Sequence, residues 1–175
     1  MQSEIIEFLK IRGFEEKEAV KTFNRWYGWL TEVTTRKDVK LHFKAIEDSA
    51  ITSMVTVKDI DVDLVCPHHL LPVDMTVHVA YVPDGKILGL SKFARVAIDL
   101  ARPMTQEQYT YNLVKQIWDN LDPNWIMAIV IGEHACMQCR GVKSKRSKTI
   151  TSEVHTKLSV DVAKSYKDEF MRLVF

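Results

Sequence analysis

The sequence lacks several features that mark whole classes of protein. Its formal net charge is only +1, from 24 basic and 23 acidic residues. It therefore has no overall basic field for nucleic acid, and any anion site has to be local. No apolar run approaches the ~18 residues that a membrane span needs. The N-terminus MQSEIIEFLKIRGFEE has an acidic residue at position 4 and no long apolar core, so we expect no secretory signal there.

Cysteine is also scarce. The chain has three cysteines, an odd number, and two of them stand close together in CMQC. This argues against a disulfide framework and predicts reduced thiols in a cytoplasmic protein. Low-complexity tracts, linkers and internal repeats are missing as well. At 175 residues we expect one domain overall, with a helical region over residues 1–35 and the main domain over residues 36–175.

Apolar spacing predicts helices at both ends and in the middle of the chain. A short helix over 4–11 and a longer one after Gly13 are predicted, the second with a stripe of apolar residues at three- and four-residue spacing: Ala19, Phe23, Trp26 and Leu30. SKFARVAIDLA predicts a helix that Ser91 caps and that stops at Arg102–Pro103. TQEQYTYNLVKQIWDNL begins with a capping-box pattern, and SVDVAKSYKDEFMRLVF predicts a closing helix.

Between these helices the apolar period changes to two. SMVTVKDIDVDLVC alternates at Val55 and Val57, slips by one residue and resumes at Ile60, which predicts a β-bulge. VDMTVHVAYV alternates again before the turn sequence PDGK, and NWIMAIVIGEHACM and SKTITSEVHTKL predict two further strands. Because the strands come in sequential pairs, the predicted class is α+β with an antiparallel sheet.

Cysteines and histidines form two candidate groups for a metal. The first is LVCPHHLLPV, with Cys66, His68 and His69, and the second contains Cys136 and Cys139. The simplest alternative is that these residues only pack in a core. Thiolate and imidazole together favour zinc. The two prolines of the first group predict that it leaves regular strand geometry, so that Cys66 and His69 can converge.

The number of ligands decides between a structural and a catalytic site. If Cys139 joins Cys66, His69 and Cys136, the site is closed, and the C-x-x-C spacing favours this version. If only three residues bind, a position stays open for water. Two spare histidines, His68 and His134, favour the open site because they could transfer protons. His134 lies two residues before Cys136, on the same side if the strand continues.

Other residues could contact an anion or a base. Lys92 and Arg95 lie on one face of a predicted helix start, and Arg140 is followed by a basic run at 143–148. These cations form either a solvated surface or a phosphate site near a helix N-terminus. Gln106 and Glu107 begin the next helix, where acids are common. A carboxylate beside a carboxamide could also read the donor edge of guanine.

Five motifs together resemble one family. CPHHLLP, GLSKFAR, ARPMTQEQYT, EHACMQCRGV and SKTITS occur in the order and spacing of GTP cyclohydrolase I, over about residues 20–155. The resemblance implies hydrolytic opening of the GTP imidazole ring, release of formate and rearrangement to 7,8-dihydroneopterin triphosphate. It implies the tunnelling fold, in which antiparallel sheets of several subunits close a barrel. It also implies a large homo-oligomer, commonly a decamer, with active sites between subunits and no nucleic-acid or membrane partner.

The resemblance also assigns roles to individual residues. It implies zinc on Cys66, His69 and Cys136, and proton transfer by His68 and His134. Gln106 and Glu107 match residues that hold guanine, and the triphosphate surroundings match Ser91, Lys92, Arg95 and Arg140. The sequence departs from the family pattern at Pro67, Ala135 and Cys139. The product could serve folate, tetrahydrobiopterin or 7-deazaguanine synthesis.

Three alternatives follow from the same residues. The nitrile reductase of 7-deazaguanine biosynthesis shares the fold but uses a catalytic cysteine and NADPH without zinc. Relatives of pyruvoyl-tetrahydropterin synthase bind zinc through three histidines. A non-catalytic protein could carry a structural zinc on Cys66, His69, Cys136 and Cys139. This last alternative gives His68 and His134 no role and predicts that Cys139 matters as much for metal as Cys136.

Overall fold

The computed structural model describes residues 1–35 and 52–175 and the backbone of residues 45–47. The chain divides into two compact units, residues 1–36 and 37–175. The predicted division into 1–35 and 36–175 stays a prediction, because residues 36–44 lie outside the described ranges. No helix of these ranges is both long and apolar enough to cross a membrane.

The first unit is helical, as the apolar spacing predicted. Helix α1 spans Gln2–Ile11 and helix α2 spans Glu16–Thr34. Gly13 lies between them with a φ of 95°, a conformation that glycine adopts without strain. In the predicted stripe Ala19 and Phe23 are buried, and the ring of Phe23 stacks on Tyr27 with 5.5 Å between centroids.

The second unit is built on an antiparallel sheet, which confirms the predicted α+β class. Four strands lie in the order β2-β3-β5-β6: β2 (Val55–Val65), β3 (Pro72–Val82), β5 (Trp125–His134) and β6 (Thr149–Thr156). A separate antiparallel pair joins β1 (Ala45–Glu47) to β4 (Lys86–Leu88). The long central strand β5 pairs with β3 on one side and β6 on the other.

The predicted bulge lies in β2. Its pairing with β3 shifts register between Val57 and Ile60, and Asp59 has a φ of 60°. The backbone N–H of Asp59 donates to Nδ1 of the buried His78 over 3.2 Å. After the shift, Ile60, Val62 and Leu64 all point into the core, so the bulge keeps one apolar face across the break in the pattern.

Two consecutive helices cover one face of the sheet. Helix α3 spans Leu90–Leu100 and helix α4 spans Gln106–Leu121. The predicted capping box of α4 is confirmed: Thr105 Oγ1 accepts from the Gln108 N–H, and the Gln108 side chain accepts from the Thr105 N–H. The predicted cap of α3 at Ser91 is wrong, because the helix begins at Leu90 after Gly89 and ends at Leu100.

A third helix covers the opposite face. Helix α6 spans Val160–Val174 and buries Phe170 against Trp125. Alternate side chains of β5 therefore pack into two apolar layers, one on each face of the sheet. Ile126, Ala128 and Val130 pack toward α3 and α4, while Trp125, Met127 and Ile129 pack toward α6. Gly132 and His134 continue the first series, so the end of β5 carries His134 to the same face as the start of α4.

Candidate metal centre and active site

The loop between β2 and β3 brings the first group of candidate ligands together. Strand β2 ends at Val65 and β3 begins at Pro72, which confirms that the Cys-Pro-His-His segment leaves strand geometry. Two backbone hydrogen bonds of 2.9 Å close the loop, from Cys66 N–H to Leu71 O and from Leu70 N–H to Cys66 O. As a result, Nδ1 of both His68 and His69 lies near Cys66 Sγ, at 3.9 and 3.8 Å.

The second group follows the neighbouring strand β5. His134 is the last residue of β5 and pairs with Val73 at the start of β3, directly after the loop. The prediction that the strand continues through Cys136 is wrong. A four-residue helical turn, α5 (Ala135–Gln138), begins after His134. This turn redirects the chain, so Cys136 reaches the loop while His134 stays on the sheet face.

Cys66, His69 and Cys136 form a cluster that could hold a metal ion. Their donor atoms all lie within 4.8 Å of one another. Cys139 lies outside this cluster at the end of α5, and its thiol is exposed. Two thiols and one imidazole suit zinc, and three protein ligands leave a coordination position for water. The geometry therefore favours the open three-ligand site over the closed four-ligand one.

The two thiols favour a bound cation. Burial raises the pKa of the Cys136 thiol, and the neighbouring Cys66 thiol raises it further, against a smaller opposite effect from the Arg140 cation. Two thiolates this close repel each other unless a positive charge lies between them. A metal ion supplies that charge and deprotonates thiols on coordination. Arg140 also contacts the cluster directly, with Nη1 2.6 Å from His69 Nε2.

His134 lies two residues before Cys136 and is held by the start of α4. Its Nε2 is 2.8 Å from Oε1 of Gln106, the first residue of that helix. Burial lowers the pKa of His134, and the carboxylate of Glu107 opposes this effect. Glu107 itself is exposed. The structure thus brings His134 together with Gln106 and Glu107, which belong to a different motif of the sequence.

The remaining candidate residues lie in two places, at the start of helix α3 and in the segment that follows α5. Ser91, Lys92 and Arg95 lie on the first turns of α3, where Ser91 and Arg95 are exposed. Among the described residues, neither Lys92 nor Arg95 forms an ion pair with a carboxylate. In the basic run after Arg140, the ammonium of Lys148 pairs with Glu133 over 3.0 Å. The described contacts do not join the α3 residues to the cluster.

Sequence reasoning missed one part of the site, the surroundings of the Gln106 amide. Gly132 lies opposite this amide, and a Cβ there would overlap Gln106 Oε1 and approach Cδ to 3.0 Å. A glycine inside a strand is a signal of close approach by another group. Gly132 interrupts the apolar run of β5, so that signal was present in the sequence, although it does not say which side chain approaches.

The known proteins to which this chain is similar agree with the geometry of the site. The sequence pattern of the family "GTP cyclohydrolase I" matches residues 2–174. A GTP cyclohydrolase 1 of Bacillus subtilis (strain 168) is 39% identical over 149 residues, which cover 84% of this chain and 76% of the relative. A GTP cyclohydrolase 1 of Geobacillus kaustophilus (strain HTA426) is 41% identical over 128 residues, which cover 72% of this chain and 68% of the relative.

A solved structure shows a related fold. The apo form of the archaeosine synthase QueF-Like superposes with a TM-score of 0.50 at 17% identity, over 61% of this chain and 97% of that one. At this identity the similarity concerns the fold alone. The family match over nearly the whole chain and the two bacterial relatives carry the assignment: the chain belongs to the GTP cyclohydrolase I family.

Proposed function

We propose that the chain hydrolyses the imidazole ring of GTP, releases formate and rearranges the remainder to 7,8-dihydroneopterin triphosphate. One observation carries this proposal: three donor atoms that could hold a metal lie within 4.8 Å of one another, while His68, beside Cys66, and His134, two residues before Cys136, stay outside this set. A closed structural site would have no use for such an acid–base pair. Family membership identifies the substrate class.

The proposed metal is zinc on Cys66, His69 and Cys136. The donor set fits zinc because thiolate and imidazole ligands are its usual partners and the three donor atoms are already close together. When bound, zinc supplies a nucleophile from water near neutral pH. The protein's own part is to hold the three ligands in place through the short loop and the α5 turn.

The two free histidines are the proposed proton carriers. His134, at the end of β5, would give a proton to the imidazole part of guanine and make its ring carbon electrophilic. His68 is exposed beside Cys66, with Nδ1 3.9 Å from Sγ. We assign it to proton transfer during ring opening and during rearrangement of the ribose. Its exposure lets it exchange protons with solvent between these steps.

Substrate contacts are assigned to the two neighbouring surfaces. The exposed Glu107 would accept hydrogen bonds from the ring N–H and amino group of guanine, and the predicted guanine contact of Gln106 stays a prediction. The triphosphate would lie among four residues: Ser91, Lys92, Arg95 and Arg140. Helix α3 has no side-chain cap on its N-terminal N–H groups, which supports an anion at this end.

The assembly and compartment are also proposals. We propose the tunnelling fold, with the antiparallel sheets of several copies closing a barrel and a decamer as the expected homo-oligomer. The similarity to the QueF-Like structure supports the fold, and β2 and β6, as the outer strands of the four-stranded sheet, offer the edges for such closure. Reduced thiols as metal ligands fit a cytoplasmic protein.

The activity is tested with purified, zinc-replete protein and GTP. The expected products are formate and, after oxidation and dephosphorylation, a fluorescent neopterin. His134→Ala should abolish turnover while the zinc content stays that of the unmodified protein, because His134 is outside the ligand cluster. Absence of product with zinc bound and the oligomer intact would contradict the proposed activity. Loss of zinc in His134→Ala would contradict the separation between proton carrier and ligand.

A further inference from the structure

The side chain of Gln106 is almost completely buried although it is polar. Only 1% of the residue is exposed. Its Nε2 donates to the carbonyl oxygens of Val130 and Thr149, each over 3.0 Å, with Thr151 Oγ1 at 3.2 Å as a third acceptor. Val130 belongs to β5 and Thr149 to β6, so the amide bridges two adjacent strands. A buried amide needs these partners, because an unpaired one is costly.

These contacts fix which way the amide points. Backbone carbonyl oxygens only accept hydrogen bonds, so the NH2 group must face Val130 and Thr149. Turning the amide over would place Oε1 against two carbonyl oxygens. Oε1 therefore faces His134 Nε2, at 2.8 Å. Since Oε1 also only accepts, His134 must carry a hydrogen on Nε2, and Nδ1 is the nitrogen left free to take or give a proton.

The space for this amide is provided by Gly132. A Cβ at this position would overlap Oε1 of Gln106 and lie 3.0 Å from its Cδ. A pair of threonines, Thr110 and Thr151, supports the helix start as well. Thr110 Oγ1 donates to Gln106 O over 2.9 Å and lies 2.6 Å from Thr151 Oγ1. The backbone and the side chain of Gln106 are thus both held from within the protein.

We propose that Gln106 is a positioning residue for His134. It holds the imidazole in one orientation with the hydrogen on Nε2, and Gly132 is the residue that makes room for it. This inference rests on the proposed function for its catalytic consequence, since His134 is there the proton donor to the guanine ring. The tautomer of His134, in contrast, can be measured in the protein without GTP and does not depend on the proposed activity.

The tautomer can be measured directly. Protein labelled with 13C and 15N on its 6 histidines would be studied, zinc-replete and without GTP, by magic-angle-spinning NMR. The His134 signals are those missing in His134→Ala. We expect the Nε2–H tautomer in the unmodified protein and a mixture of tautomers in Gln106→Met, which keeps the side-chain length and loses every hydrogen bond. An Nδ1–H tautomer in the unmodified protein would overturn the proposal without any variant.

Kinetics give the second readout. Misplacement of a catalytic group by about 1 Å can lower a rate ~100-fold, so Gln106→Met should lower kcat roughly 10- to 100-fold, with KM for GTP within about threefold. Gly132→Ala should act in the same direction, since it displaces the unaltered Gln106. Gly28→Ala is the matched control. No atom lies within 4 Å of a Cβ at Gly28, so its kinetics should be unchanged.

The outcomes separate the two proposals. A raised KM with unchanged kcat and an unchanged tautomer would show that Gln106 contacts guanine and does not position His134. If Gly132→Ala lost both its zinc and its oligomeric state but kept the Nε2–H tautomer of His134, Gly132 and Gln106 would have a structural role only. A protein without GTP turnover but with the Nε2–H tautomer that Gln106→Met disturbs would contradict the proposed function alone.

Discussion

The two cysteines of the C-x-x-C motif should differ sharply in their importance for metal binding. Cys136 is one of three donors whose atoms lie within 4.8 Å, so its replacement leaves two protein ligands. Loss of a residue that merely orients a ligand already costs 10- to 100-fold in affinity. Loss of the ligand itself should therefore cost at least ~100-fold, or about 3 kcal/mol. Cys136→Ser is the variant to compare.

Cys139→Ser is the matched control, three residues away. Its thiol is exposed and lies outside the cluster, so its zinc affinity should stay within about twofold of the unmodified protein. Both affinities can be measured by competition with a chromophoric chelator of known zinc affinity. If Cys139→Ser lost as much affinity as Cys136→Ser, the site would have four ligands. Such a site would be closed to water, contrary to the proposed three-ligand site.

Two further predictions concern stability. The buried Tyr109 donates its hydroxyl hydrogen to Ala97 O over 2.8 Å and joins α4 to the end of α3. Tyr109→Phe should lower the free energy of unfolding by about 1–3 kcal/mol, whereas Tyr111→Phe, 47% exposed, should change it by less than ~0.5 kcal/mol. Phe170→Ala should lower the free energy of unfolding by about 3–5 kcal/mol. The matched change Phe175→Ala, at a residue that is 67% exposed, should leave it almost unchanged. Thermal unfolding of each buried-site variant beside its exposed control checks both predictions. Equal unfolding midpoints within such a pair would contradict the stabilising role of the buried contact.

Much of the fold could be predicted because its elements follow simple apolar periods. Each apolar position predicted for β3 is buried, and the slip in β2 corresponds to a real bulge. The capping box at Thr105 was readable since both partners are close in sequence. The cap of α3 was misplaced because Ser91 is a good capping residue in general, whereas the helix begins at Leu90 after Gly89, which has no side chain to signal a cap.

Residue types and their spacing predicted the candidate ligands of the site, but not the contacts between distant residues. The Cys-Pro-His-His segment and Cys136 carry recognisable ligand chemistry, and the loop and the α5 turn bring them together. The bond between His134 and Gln106 joins residues 28 positions apart. It depends on the register of β5 against β6 and on the space at Gly132. The sequence signals a close approach at Gly132 but neither the strand register nor the side chain that approaches, so only the three-dimensional structure gives this contact.

The proposed ring-opening activity is decided by the fate of one carbon atom. GTP labelled with 13C at the imidazole ring carbon would be added to zinc-replete protein, and 13C NMR would follow the label. We expect labelled formate in equal amount to the neopterin product, and neither product from His134→Ala. Label that stays in an intact GTP ring would contradict this expectation, as would formate release by His134→Ala at the rate of the unmodified protein.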